Sequence, residues 1–288
     1  MAIPFVDSLL KKLPSSFGSL ASFGGPSADS VIGLDIGSSA IKVVQVKRKG
    51  GRPVLETYGE IALGPYAGVE IGRATALPED RVVEAIKDLL REANVTARSA
   101  AVAFPLSSSL ISLISLPKLP ESRMNEMIPI EARRYIPVSM SDVTLDWWII
   151  PEEEKIFSAP KDAQAGKGGA GEGKVDVLLV AILNEAVGKY NRIVRDAGLT
   201  DPVFEIEVFS TIRSTVSEGI EPILVFDMGA GNTKIYLVHH GLVKDSHNIN
   251  RGSQDITLAL SRAMNIPVER AEELKRTAGL SSDPSNRP

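Results

Sequence analysis

The chain of 288 residues contains no cysteine, which excludes disulfides, thiolate metal ligands and cysteine nucleophiles together. Histidine is almost as scarce. Of His239, His240 and His247, the adjacent pair falls on opposite faces of a predicted strand, so a shared metal is not expected. No apolar run approaches the roughly 18 residues that a bilayer-spanning helix needs. The segment MAIPFVDSLLKKLPSSF lacks the basic, apolar and small-residue order of a secretory signal. Positive charge is in deficit, with 32 Lys and Arg against 36 Asp and Glu, and there is no clustered basic face of the kind duplex DNA requires. What is present is 43% hydrophobic and 24% charged, the composition of an ordinary globular protein, with length enough for two domains. The expected compartment is the cytoplasm.

Ser, Gly and Pro dominate the end of residues 1–30, a flexible leader by composition. VIGLDIG, AIKVVQVKR and PVLETYGEIAL then read as an antiparallel meander joined by tight turns. Pro78 opens a helix in which Val82, Val83, Ile86, Leu89 and Leu90 fall at helical spacing. SAAVAFP, LISLISL, DVTLDWWII and KVDVLLVAIL are predicted strands, and 121–135 a helix that Pro129 kinks or restarts. Residues 152–174, rich in Gly, Ala and charge, read as a disordered loop. Within that loop, Gly168 to Lys174 has the G-x-x-x-x-G-K spacing of a phosphate loop. It fails otherwise, because Val175 stands where a Mg²⁺-binding hydroxyl belongs and a strand follows instead of a helix. Helices are expected at 184–197, 209–218, 253–264 and 268–277, and a disordered tail at 281–288.

One pattern stands out. Leu34-Asp35-Ile36-Gly37-Ser38-Ser39-Ala40-Ile41-Lys42-Val43 returns as Phe226-Asp227-Met228-Gly229-Ala230-Gly231-Asn232-Thr233-Lys234-Ile235. Asp, Gly and Lys recur at one constant offset of 192 residues (35 to 227, 37 to 229, 42 to 234). Such a repeat implies two similar lobes, each opening with a strand–turn–strand unit. A strand ending in Asp-x-Gly brings backbone N–H groups to a turn that no bulky side chain screens, so the turn can cradle phosphate oxygens. The Asp at the strand end can hold a hydrated Mg²⁺ that is shared with those phosphates.

These two hairpins resemble the phosphate-loop pair of the superfamily that contains actin, heat-shock chaperones and sugar kinases. IPIEARRYIPVSMSDVTLDWWII, VDVLLVAILNEAVGKYNRIVRDAGL, FEIEVFS and NRGSQDITLALSRAMNIPVERAEELKR narrow the resemblance to the type IV pilus assembly family PilM, related to the cell-division protein FtsA. The resemblance implies an α/β, actin-like (ribonuclease H-like) fold of duplicated lobes. A small α+β subdomain is inserted at 101–183, with the first lobe at 31–100 and 184–222 and the second, incomplete, at 223–280. It implies a cytoplasmic ATP-binding scaffold at the inner face of the membrane, with ATP and Mg²⁺ as cofactors and at most slow hydrolysis. The implied partner is the short cytoplasmic tail of a PilN-like inner-membrane protein. A sugar-type kinase and a nucleotide-free interaction module are the alternatives.

By resemblance, Asp35, Gly37, Ser38, Ser39 and Lys42 form the first phosphate loop. Asp227, Gly229, Gly231, Asn232 and Thr233 form the second, and Asp35 and Asp227 are the metal carboxylates. Glu207 takes the position that orients an attacking water, beside Asp35 as the other catalytic carboxylate. Lys234 is expected as an outer-face charge. The superfamily completes its second lobe with two more strands and an adenosine-binding Gly-Gly turn, which the sequence after Thr277 does not supply. Of Trp147 and Trp148, adjacent on one strand, one ring is expected to face outward and help line the partner's groove.

Overall fold

A computed structural model describes residues 30–50, 52–150, 173–216, 221–239 and 241–279. The leader, the Walker-like Gly168–Gly171 stretch, His240 and the tail 281–288 lie outside the described residues.

The first sheet has the order β3-β2-β1-β4-β8. Strands β1 (Ser30–Ile36), β2 (Ala40–Lys49) and β3 (Arg52–Ala62) form the expected antiparallel meander. Strands β4 (Ser99–Phe104) and β8 (Thr200–Ile206) continue it in parallel with β1. The boundary expected between residues 100 and 101 therefore falls inside β4. Period-two alternation turns Ile32, Leu34, Ile41 and Val43 to one face, where α1 (Glu79–Glu92) and α3 (Asn184–Asp196) cover them. Helix α1 meets that face with Val82, Ala85, Ile86 and Leu89, a stripe at spacings of three and four. The opposite face carries Asp35 and Lys42.

A smaller sheet, β5-β7-β6, is built from β5 (Ser109–Pro117), β6 (Val143–Ile149) and β7 (Lys174–Leu183). Helix α2 (Glu121–Ala132) runs through Pro129 as one element and does not restart there. Met124, Ile128 and Ala132 of α2 seal one face of this sheet against Val177, Leu179 and Ala181. The central strand β7 is an almost unbroken apolar run because both of its faces are buried. This double coverage corrects the expectation of an outward tryptophan. Trp147 packs into the α2 face, and Trp148, 6% exposed, packs with Ile150 and Leu113 against Leu242 of the second lobe.

Helix α4 (Glu207–Thr215) follows β8 directly and starts two residues earlier than the expected 209. Ile206 still pairs with Phe104 in the sheet, so the turn into the helix falls on Glu207. A carboxylate in a first helical turn suits the helix dipole. The second lobe contains β9 (Ile223–Met228), β10 (Thr233–His239) and β11 (Leu242–Ile249) in the order β11-β10-β9, then α5 (Ser253–Met264) and α6 (Val268–Thr277). The helix pair is pinned by Glu272, which accepts hydrogen bonds from Thr257 (2.6 Å) and Arg276 (2.8 Å) and pairs with Lys275 at 2.6 Å. Those partners outweigh the burial that would otherwise raise the Glu272 carboxyl, and hold it at about 2.

Candidate phosphate-binding site between two hairpins

The sequence repeat is a repeat in space. Gly37 N–H donates to Ala40 O at 3.0 Å, and Gly229 N–H donates to Asn232 O at 2.9 Å, the same bond at the same offset of 192. Asp35 stands across from Lys42 in the β1–β2 ladder, and Asp227 across from Lys234 in β9–β10. Both turns leave little room for a side chain at the glycine, the first less than the second. A methyl added to Gly37 would lie 2.8 Å from the Ala40 carbonyl oxygen, and one on Gly229 3.1 Å from that of Asn232.

The two turns also meet. A side-chain carbon at Gly231 would stand 3.5 Å from Ser38 Oγ and 3.2 Å from Ala74 Cβ. Ala74 belongs to the β3–α1 connection, which crosses between the lobes. Thr75 N–H donates to Ser38 O at 2.8 Å, and Ala74 N–H to Gln254 Oε1 of α5 at 3.2 Å. The second turn is braced from behind, because Ser253 and Gln254 at the start of α5 donate their N–H groups to the carbonyls of Gly229 and Ala230. Gly252 permits this approach, since a Cβ there would lie 2.3 Å from Ala230 O. The buried Thr233 donates its hydroxyl to Arg251 O at 2.8 Å, and Ser39 O accepts from Leu63 N–H at 2.8 Å.

The charged groups divide unequally. Asp35 and Lys42 approach to 4.0 Å with side chains 47% and 58% exposed, and they border a cleft of about 290 Å³ with Ala101, Ala103 and Arg213. Burial raises the Asp35 carboxyl above the usual aspartate value, against the pull of Lys42 and Lys234, and Asp227 adds a smaller push upward. Lys234 is not the outer-face charge expected. Its side chain is 12% exposed, its ammonium donates to Glu207 Oε2 at 2.6 Å, and it lies 3.3 Å from Asp227 Oδ2. Burial alone would lower this lysine, but the hydrogen bond and charge of Glu207, with those of Asp227, raise it above the ordinary value. The other oxygen of Glu207 accepts the Leu106 N–H at 2.8 Å.

Glu207 thus sits where the sequence placed it, at the strand-to-helix junction, and its neighbours are the part that sequence reasoning missed. Tyr190 and Tyr236, both raised first by burial, also feel the charges of Glu207 with Asp35 and of Glu207 with Asp227 respectively. Asp35, Asp227, Glu207 and Lys234 therefore share one electrostatic neighbourhood. The offset that pairs Lys42 with Lys234 was a signal that the second lysine belongs to the site. Nothing in the sequence flagged Leu106, Ala74 or Gln254. Among the described residues no cluster of three or more acidic or histidine side chains could hold a metal by itself, and no helix is long and apolar enough to cross a membrane.

The sequence matches the family described as type IV pilus assembly protein PilM over residues 33–287. Among solved structures, a chain of a PilM–PilN type IV pilus biogenesis complex superposes with a TM-score of 0.66 at 28% identity, over 88% of this chain and 71% of that one. The ethanolamine utilization protein EutJ from Carboxydothermus hydrogenoformans gives 0.47 at 14% identity, over 89% of this chain and 65% of that one. The cytoplasmic domain of EpsL, an inner-membrane component of the Vibrio cholerae type II secretion system, gives 0.46 at 12%, over 81% and 75%. A match over most of the length decides the matter: the chain belongs to the family of the type IV pilus assembly protein PilM.

Proposed function

We propose that the chain is a cytoplasmic nucleotide-binding scaffold of type IV pilus assembly, with ATP and Mg²⁺ between its hairpins, and that it recruits the cytoplasmic tail of a PilN-like inner-membrane partner. The observation that carries this reading is the pair of identically closed turns, Gly37 to Ala40 and Gly229 to Asn232, brought within van der Waals reach at Ser38 and Gly231. Turns without bulky side chains let backbone N–H groups approach phosphate oxygens, and the Ser38 and Ser39 hydroxyls and the half-exposed Lys42 ammonium add donors. Asp35, with Asp227 in the facing hairpin, supplies carboxylates for a hydrated Mg²⁺, which keeps most of its waters and takes one or two carboxylates beside phosphate. When bound, the ion neutralises phosphate charge; the chain's own part is to orient the triphosphate and to set the lobe separation. The solved PilM–PilN complex supports the partner assignment.

Titrating Mg-ATP into the wild-type chain, Asp35→Ala and Gly231→Val tests the site. Each variant should bind at least tenfold more weakly, the first through lost metal coordination and the second through blocked approach. Equal affinity in all three would move nucleotide away from the hairpins. The partner assignment is tested by titrating the synthetic PilN-type tail with and without Mg-ATP, and absence of binding in both conditions removes it.

A further inference from the structure

Among the described residues of this region, Lys234 is an ammonium placed between carboxylates of different lobes. Glu207 heads α4 beside the first sheet, and Asp227 is the penultimate residue of β9 in the second lobe. Within a space where the lysine and Glu207 side chains are only 12% and 16% exposed, the ammonium lies 2.6 Å from one carboxylate and 3.3 Å from the other. Its counterpart Lys42 has nothing comparable, with Asp35 at 4.0 Å and more than half of its side chain in solvent. A duplicated residue with such a different environment has a different task.

We propose that Lys234 is a positioning residue and the site's resident cation, clasping Glu207 to Asp227 so that the lobes are tied across the phosphate turns and Glu207 is held away from water. Both Glu207 oxygens are engaged, one by the Leu106 N–H and one by the ammonium. Hydrogen bonds to a charged donor are the strong ones, and they compete for the lone pairs that a water-orienting carboxylate needs. The ammonium also engages one Asp227 oxygen, Oδ2, which leaves Asp35 as the more open of the two carboxylates for a metal arriving with phosphate. The consequence for the function proposed above is a site built to bind and hold rather than to turn over. Only that consequence rests on the nucleotide reading; the clasp is a property of the protein alone.

The test is a double-mutant cycle on the full chain without nucleotide, using Lys234→Met, Glu207→Gln and the pair together, with stability read by urea denaturation. The clasp predicts that the two single changes each lower the folded-to-unfolded ratio, and that the double variant loses at least fivefold less than their product. Effects that multiply simply would overturn it. If Lys234→Met does not fold, Glu207→Gln carries the test through amide hydrogen exchange. Faster exchange at the β9–β10 turn supports the clasp, and unchanged exchange there overturns it. Mn²⁺ titration followed by electron paramagnetic resonance adds an independent reading. Removing the ammonium leaves two facing carboxylates, so Lys234→Met should bind Mn²⁺ at least tenfold more tightly than wild type, and the double variant should lose that gain. Unaltered Mn²⁺ affinity would show that the ammonium does not stand in for a metal. A wild-type chain that binds no Mg-ATP would sink the nucleotide reading and leave these outcomes intact.

Discussion

The two hairpins have the same register, the same closing bond and the same Asp, Gly and Lys, yet they hold their lysines differently. In the first, Asp35 and Lys42 sit 4.0 Å apart in a half-open cleft. In the second, the Lys234 side chain is only 12% exposed and doubly paired. The difference comes from what lies across from each turn. The head of α4 delivers Glu207 to the second hairpin, whereas the first faces the 290 Å³ cleft. Duplication therefore preserves a backbone device, while the surrounding elements decide whether its charge is spent on the protein or left for a ligand.

The largest effect that distinguishes the two follows from removing the second lysine. Breaking a buried ion pair from one side leaves uncompensated carboxylates, which costs about 3 kcal/mol or more. Lys234→Met should therefore be destabilised by about 3 kcal/mol in urea. A loss under 1 kcal/mol, the range of exposed surface pairs, would make the two hairpins energetically alike and erase the distinction drawn above.

How much of this was readable beforehand depends on the range of the interaction. The meander, the two α5–α6 helix spans and the Asp-x-Gly turns are local patterns, and each was legible from periodicity and turn residues. The offset of 192 made even the duplication visible. The fate of Lys234 was not legible, because its partner Glu207 comes from another element and the contact exists only once α4 is seated beside β10. The tryptophans failed for the same reason. Strand alternation places Trp147 and Trp148 on opposite faces, but whether a face is open depends on what docks there, and here α2 and Leu242 cover both. Ala74 and Gln254, which meet between the lobes, are unremarkable as letters in a sequence.

The next effect concerns the support behind the second lobe. Asp146 lies on the same face of β6 as Trp148, the face that Leu242 of β11 covers. It is 4% exposed, and its Oδ2 is buried without a hydrogen-bond partner. Burial raises its carboxyl to about 6 from the ordinary 3.8, against one hydrogen bond from the Trp147 N–H. With the folded value above the unfolded one, the group's favourable contribution is fully present below about pH 4 and is lost as pH rises to about 6. Roughly two pK units correspond to about 3 kcal/mol. Asp146→Asn should accordingly be more stable than wild type at pH 8, by about 2 kcal/mol once the cost of a buried amide is deducted, and should lose that advantage by pH 4. Urea midpoints at the two pH values check this, and parallel profiles would show that Asp146 contributes no such penalty.

The turn glycines give a smaller contrast. An added methyl meets backbone oxygen in both turns, at 2.8 Å for Gly37 and 3.1 Å for Gly229, and backbone cannot rotate away. Overpacking of this kind costs about 1–3 kcal/mol, so Gly37→Ala should lower the melting temperature more than Gly229→Ala. The reverse order would mean that the bracing of the second turn by Ser253 and Gln254 makes it the stiffer of the two.

The smallest effect on stability belongs to Lys42. Its pair with Asp35 is long and mostly solvated, and exposed pairs of this kind contribute about 0–1 kcal/mol. Lys42→Met should therefore leave urea denaturation nearly unchanged. Lys42 is nevertheless the strongest charge drawing the Asp35 carboxyl downward, so its removal lets burial push that group further up, which carboxyl-carbon nuclear magnetic resonance can follow. If this lysine is reserved for a phosphate, the same variant should lose about tenfold in Mg-ATP affinity, the scale of one charge-assisted hydrogen bond. A lysine that matters to ligand and hardly to fold, set against a twin that matters to fold, is the division of labour the paired hairpins imply. Equal and small losses of ligand affinity in Lys42→Met and Lys234→Met would dissolve it.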